Sequence, residues 1–124
     1  MKDLHKNNLD YLAAKHAQAL IKAASDAENT VTKALGVLQE NGVYACFLYL
    51  LANKKKDETA PIIQAMLDLL GEDQLGLPGR ENDDVLNYIA EKITIDLPTL
   101  LLAKEALEQM LIYARYGAKA AGKP

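Results

Sequence analysis

Apolar and polar positions alternate along this chain at helical spacing almost from end to end. Leu9, Leu12, Ala13, His16, Leu20 and Ile21 fall near one stripe, which predicts a first helix from about Asp3 to Ala24. Lys15 and Lys22, seven residues apart, share a different stripe. Ser25 followed by Glu28 has the form of a capping box, so a second helix is expected from there to Glu40. Asn41-Gly42 ends it, because glycine accepts the left-handed conformation that closes a helix. Val43 to Ala52 then holds ten residues without a charge, the mark of a helix surrounded by others. Lys54, Lys55 and Lys56 follow where that helix surfaces, and cations there suit the C-terminal end of its dipole.

Thr59 is placed to cap a fourth helix that buries Ile62, Ile63, Met66, Leu67, Leu69 and Leu70 and stops at Gly71. Residues 71 to 81, GEDQLGLPGRE, hold three glycines and a proline and are expected as an exposed loop. Asn82 is the expected cap of a short fifth helix with Val85, Leu86, Ile89 and Ile93 inward. A sixth opens at Asp96, with Pro98 in its first turn, and runs to about Ala120. Lys104, Glu108, Arg115 and Lys119 share one stripe of it, since eleven residues make almost three full turns. The predicted fold is therefore all-α, one domain over residues 1–124, a bundle of five to six helices.

Composition agrees with that reading and narrows it. Leu and Ala dominate, β-branched residues are too sparse for a sheet, and 124 residues suffice for one core without disulfides or metals. The longest apolar run reaches about half the roughly 20 residues a membrane span needs, and MKDLHKNNLD is polar where a signal peptide would be apolar. A soluble, cytoplasmic protein with no membrane partner is expected. Cys46 lies within the apolar run and reads as core filler.

The formal charge of −3 hides a segregation. Residues 1–56 carry eight lysines against five acids, residues 57–91 one arginine against nine acids, and residues 92–124 five bases against three acids. Basic ends and an acidic middle suggest two kinds of neighbour, with an ordinary solvated surface as the plain alternative.

Reactive constellations are not legible. His5 and His16 come without a Glu-x-x-His pair, and His16 lies near the apolar stripe, where a part-buried histidine bonded to a neighbour is the expectation. Glu105 with Glu108, or Asp83 with Asp84, lack any neighbour that would separate their proton affinities. GEDQLGLPG has its glycines at the wrong spacing for a phosphate loop. No enzyme, cofactor or metal site is expected.

Asn41-Gly42 ahead of the apolar helix, and Glu105, Ala106, Leu107, Tyr113, Arg115, Tyr116 and Ala118 in the closing helix LLLAKEALEQMLIYARYGAKA, form a pattern spanning about residues 9 to 120. It resembles the small helical subunit of the Cmr module, the type III-B CRISPR RNA-guided effector complex. The family often carries a tryptophan in the last helix, where this chain has Ile112 or Tyr113. The resemblance implies a noncatalytic subunit of an antiviral ribonucleoprotein. Its copies would stack as an inner filament beside other subunits and line the path of guide and target RNA. Base pairing does the sequence reading in such machines, so backbone contacts suffice. The candidate RNA-contacting residues are Lys15, Lys22, Lys54, Lys55, Lys56, Lys104, Arg115 and Lys119, with the acidic middle facing protein. Tyr113 and Tyr116 offer stacking faces, although tyrosines three apart on a bundle helix more often pack. The alternative function is a helical adaptor that binds a protein through residues 57–91; a metal or redox bundle enzyme is a third.

Overall fold

The computed structural model describes the backbone of residues 4–24 and 26–121 and, within that range, the side chains from Leu9 onward. Six α-helices form: α1 (Leu4–Ala23), α2 (Glu28–Asn41), α3 (Val43–Ala52), α4 (Lys56–Leu70), α5 (Val85–Tyr88) and α6 (Leu97–Ala121). A 3-10 turn at Asp73–Leu75 and a π-helical turn at Ile89–Ile93 complete the order, with no strand among the described residues. The all-α bundle expected from the apolar spacing is what the chain adopts. No described helix is long and apolar enough to cross a membrane.

α6 is the axis of the bundle, packed against α1, α2 and α4. Its 25 residues bury Ala103, Ala106, Leu107, Met110, Leu111, Ala114 and Ala118 along one stripe. Each fully buried Leu or Met is worth about 1.5–3 kcal/mol of transfer free energy before ordering costs. On one flank α1 runs parallel to α6, since Asp10 meets Gln109 and Tyr113 while Ile21 lies against Gly117 further along both helices. Small residues permit that approach: a Cβ on Gly117 would sit 3.3 Å from Ile21 Cγ1. On the other flank α2 runs antiparallel, with Gln39 bonded to Glu108 and Glu28 paired with Lys119.

Gly42 lets α3 fold back on α2. It is the C-cap of α2 and the N-cap of α3 at once, with φ 101° and ψ −177°. That is not the left-handed helical conformation expected at a helix stop but an extended positive-φ state open essentially to glycine alone. Its N–H still donates to Leu38 O at 3.0 Å and closes α2.

Several expectations need correction. α2 starts at Glu28 with Ala27 as its cap and no side-chain cap bond, so Glu28 is the first helical residue; Ser25 lies outside the described residues. α3 is not enclosed on all sides. Val43, Cys46, Phe47 and Leu50 are buried at i, i+3, i+4 and i+7, whereas Tyr44 and Leu48 are 39% and 46% exposed, because its neighbours cover one stripe only. Thr59 does not cap α4. The Lys55 carbonyl accepts from both Glu58 and Thr59 N–H at 3.0 Å, so the helix opens a turn earlier, runs through Pro61, and turns Thr59 into the core. Its acidic first turn, Asp57 and Glu58, suits the positive end of the dipole.

The loop after α4 is partly docked rather than wholly exposed: Leu75 and Leu77 pack on the core, and Tyr88 Oη donates to Pro78 O at 2.8 Å. Asp84, not Asn82, caps α5, its carboxylate accepting from Asn87 N–H at 3.0 Å; Asn82 closes the preceding turn by accepting from Asp84 N–H at 2.9 Å. The π turn that follows buries Ile89 and Ile93. Asp96 caps α6 as expected, accepting from Thr99 N–H at 2.9 Å, and that bond lowers its carboxyl below the ordinary range.

Candidate nucleic-acid interface

Helix polarity decides where the cations go. Lys22 and Lys119 lie in the last turns of α1 and α6, and Lys56 Nζ bonds the Leu51 carbonyl at the end of α3. Acids occupy the first turns of α2 and α4, Glu28 in one and Asp57 with Glu58 in the other. Lys22, Lys119 and these acids sit where a helix dipole favours them, by a few tenths to about 1 kcal/mol, whereas Lys55 and Lys56, the cap and first residue of α4, stand at the positive end of that helix.

Tertiary contacts then bring these ends together around the first turn of α2. Glu28 reaches Lys119 of α6 with Nζ and Oε2 3.8 Å apart, and Thr30 donates to Glu58 of α4 at 2.5 Å. Lys54, Lys55 and Lys56 stand just ahead of Asp57 and Glu58 and are exposed. Lys22 is one short connection ahead of α2, and Arg115 is one turn before Lys119. Lys54, Lys55, Lys56 and Lys119 therefore border one region, and Lys22 and Arg115 neighbour it along the chain. Lys33, exposed and one turn along α2 from Thr30, is a further cation there, outside the eight candidates. Its signal was its position opposite the buried Val31, Ala34, Leu35 and Leu38. Among the described residues no carboxylate pairs with Lys22, Lys54, Lys55 or Arg115.

The other two candidates stand apart. Lys15 is held by Glu72, Nζ to Oε2 at 3.1 Å, and that carboxylate raises the Lys15 ammonium above its ordinary value. Lys104 shares the α6 stripe but lies eleven residues before Arg115, about 16 Å along the helix.

His16 is buried and bonded to a neighbour, as its place on the apolar stripe predicts. Its Nε2 is 2.6 Å from Glu72 Oε2, and this bond, with Lys15 behind it, lowers the Glu72 carboxyl. The three side chains fasten the start of the 71–81 loop to α1. His5 lies outside the described side chains. Cys46 is fully buried, its Sγ 3.4 Å from Ala34 O, and burial pushes its thiol up to about 12, so it holds no thiolate near neutrality. Among the described residues no three His, Cys, Asp or Glu side chains gather as a metal site would require.

The acidic middle is not one free surface. Glu58, Glu72 and Asp84 serve internal bonds, and Glu81 stands 3.9 Å from Lys92. The two tyrosines of α6 divide: Tyr113 is partly buried and donates to Asp10, while Tyr116 is 61% exposed with the Arg115 guanidinium 5.7 Å from its ring centre. Tyr113 packs as expected, and Tyr116 does not.

No protein-family model, curated protein or solved structure matches this chain.

Proposed function

We propose that this chain is a noncatalytic small subunit of a type III-B CRISPR effector complex, the Cmr module, acting in the cytoplasm in antiviral defence. Copies of it stack as an inner filament beside the other subunits and touch the backbone of guide and target RNA. The observation that supports this most is that Lys54, Lys55, Lys56 and Lys119 border the first turn of α2, with Lys22 and Arg115 next to them along the chain, and that five of these six have no carboxylate partner among the described residues. Cations left to solvent on one region attract phosphate without reading sequence, and phosphate neutralisation makes binding steeply salt-dependent. The helix order and the Glu105–Ala106–Leu107 and Tyr113 to Ala118 pattern of α6 carry the resemblance to that family.

Copurification from the native host is the first test: guide RNA with several larger subunits supports the reading. The purified chain should bind single-stranded RNA weakly and without sequence preference. On a single strand the slope of log K against log salt changes by roughly 0.7 per phosphate contact, so replacing Lys22, Lys54 and Lys55 by Ala should flatten it by about 2. An unchanged slope removes those residues from the interface. Replacing Lys104, Arg115 and Lys119 by Ala should weaken target binding by the assembled complex.

A second reading is a helical adaptor that meets a protein through residues 57–91. It is favoured by Ile95, Leu97 and Leu101, which are 54–67% exposed just beyond that segment, since apolar side chains left to water mark protein contacts. One protein partner and no nucleic acid in the purified material would select it.

A further inference from the structure

Parallel packing of α1 and α6 leaves an open groove of about 600 Å³ between them. Its lining includes Ala14, Ala17, Ile21 and Gly117, small or aliphatic groups, together with the amide of Gln18. The two ends differ. Asp10, already bonded by Tyr113 and Gln109, closes one; Lys22 and the exposed Tyr116 border the other. Arg115 lies over the Tyr116 ring but does not line the groove, so the ring presents a different side to it. Lys119, three residues on from Tyr116, keeps about half of its side chain exposed although it stands 3.8 Å from Glu28.

We infer that the Lys22–Tyr116 end of this groove stacks an unpaired nucleobase of single-stranded RNA, with Lys22, Arg115 and Lys119 taking the flanking phosphates. The inference rests on the RNA-contacting reading above and adds to it a base contact. A positive border beside an aromatic face is the combination single-stranded nucleic-acid sites use, because every base has a π-face and every linkage a charge. The apolar part of the lining fits a flat ring, with Gln18 the one amide beside it. Asp10 repels phosphate from the opposite end, so the groove admits one base rather than a run. A solvated tyrosine on a bundle helix has a plain alternative, simple exposure, which predicts no dependence of RNA binding on the ring.

The chain contains no tryptophan, so Tyr116→Trp gives a single reporter inside the groove and Tyr44→Trp, on α3, a control away from it. Adding a ten-nucleotide oligouridylate at low salt should quench the indole emission of the Tyr116→Trp protein and leave that of the Tyr44→Trp protein unchanged. Tyr116→Leu should weaken binding of that oligomer by about 5- to 100-fold, the range of one aromatic–base stack. It should leave binding of an abasic ribose-phosphate oligomer of equal length unaltered. If wild type and Tyr116→Leu bind oligouridylate equally while the Lys22, Lys54 and Lys55 replacements weaken it, RNA contact stands and the groove is not its stacking site. Absence of any RNA binding removes the reading beneath the inference. Emission from the Tyr116→Trp protein that follows protein concentration and ignores RNA assigns the groove to a second copy and overturns the proposal.

Discussion

Thr59 carries a hydroxyl that is fully buried and has no hydrogen-bond partner among the described residues. A buried hydroxyl stripped of water and left unbonded costs about 1–3 kcal/mol. Valine has nearly the same shape and the same helix propensity, and α4 is already fixed by Lys55 as its cap, so Thr59→Val removes that penalty without touching the helix start. The added methyl contributes about 0.8 kcal/mol more at full burial, less where Ile62 and Met66 must shift to admit it. A net stabilisation of about 1–2 kcal/mol is expected. For a chain of this length it raises Tm by about 3–8 °C, and at a urea slope of about 1–3 kcal/mol/M it moves the midpoint up by about 0.5–1.5 M. Urea melts followed by circular dichroism measure it, with Thr59→Ser as companion: serine keeps the hydroxyl, loses the methyl and should destabilise. A Thr59→Val protein less stable than wild type by 0.5 kcal/mol or more, roughly the scale of one lost hydrogen bond, would mean the hydroxyl is satisfied and the reasoning wrong.

Three further outcomes follow from the fold. Gly42→Ala meets no atom within 4 Å of the added Cβ, so its whole cost is backbone strain at φ 101°; about 1–3 kcal/mol should be lost in the same urea melts, and a neutral result would place α3 differently. Glu72 is lowered by its bonds to His16 and Lys15, so its stabilising effect is complete above the ordinary value of 4.5 and fades as pH falls through the folded value beneath it. Glu72→Gln should remove part of the acid sensitivity, and two acid melts that superimpose would show the pairing is not formed in solution. Cys46, buried and pushed up to about 12, should stay unmodified by a thiol reagent at pH 8 until the chain unfolds; fast labelling of the folded protein would contradict its place in the core.

The helices were legible in the order of residues alone, because the period of apolar positions is a local property. The stripe from Leu9 to Ile21, the stop at Gly42, the cap at Asp96 and the burial of Cys46 could each be read from a few neighbouring residues. Helix starts went astray where two local signals compete: Thr59 has the residue type of a cap, yet Lys55 takes that position and Thr59 turns inward, and Asn82 yields to Asp84 two residues on. Which surfaces meet emerged from the packing and from nothing shorter in range, since those contacts join residues far apart in the chain: His16 with Glu72 at a separation of 56, Asp10 with Tyr113 at 103. No local period encodes such pairings; they follow from how six apolar stripes bury one another. That packing set α1 parallel to α6, opened the groove beside Tyr116, and drew the cations at the start of α4 and the end of α6 around the first turn of α2 while committing Lys15 to Glu72.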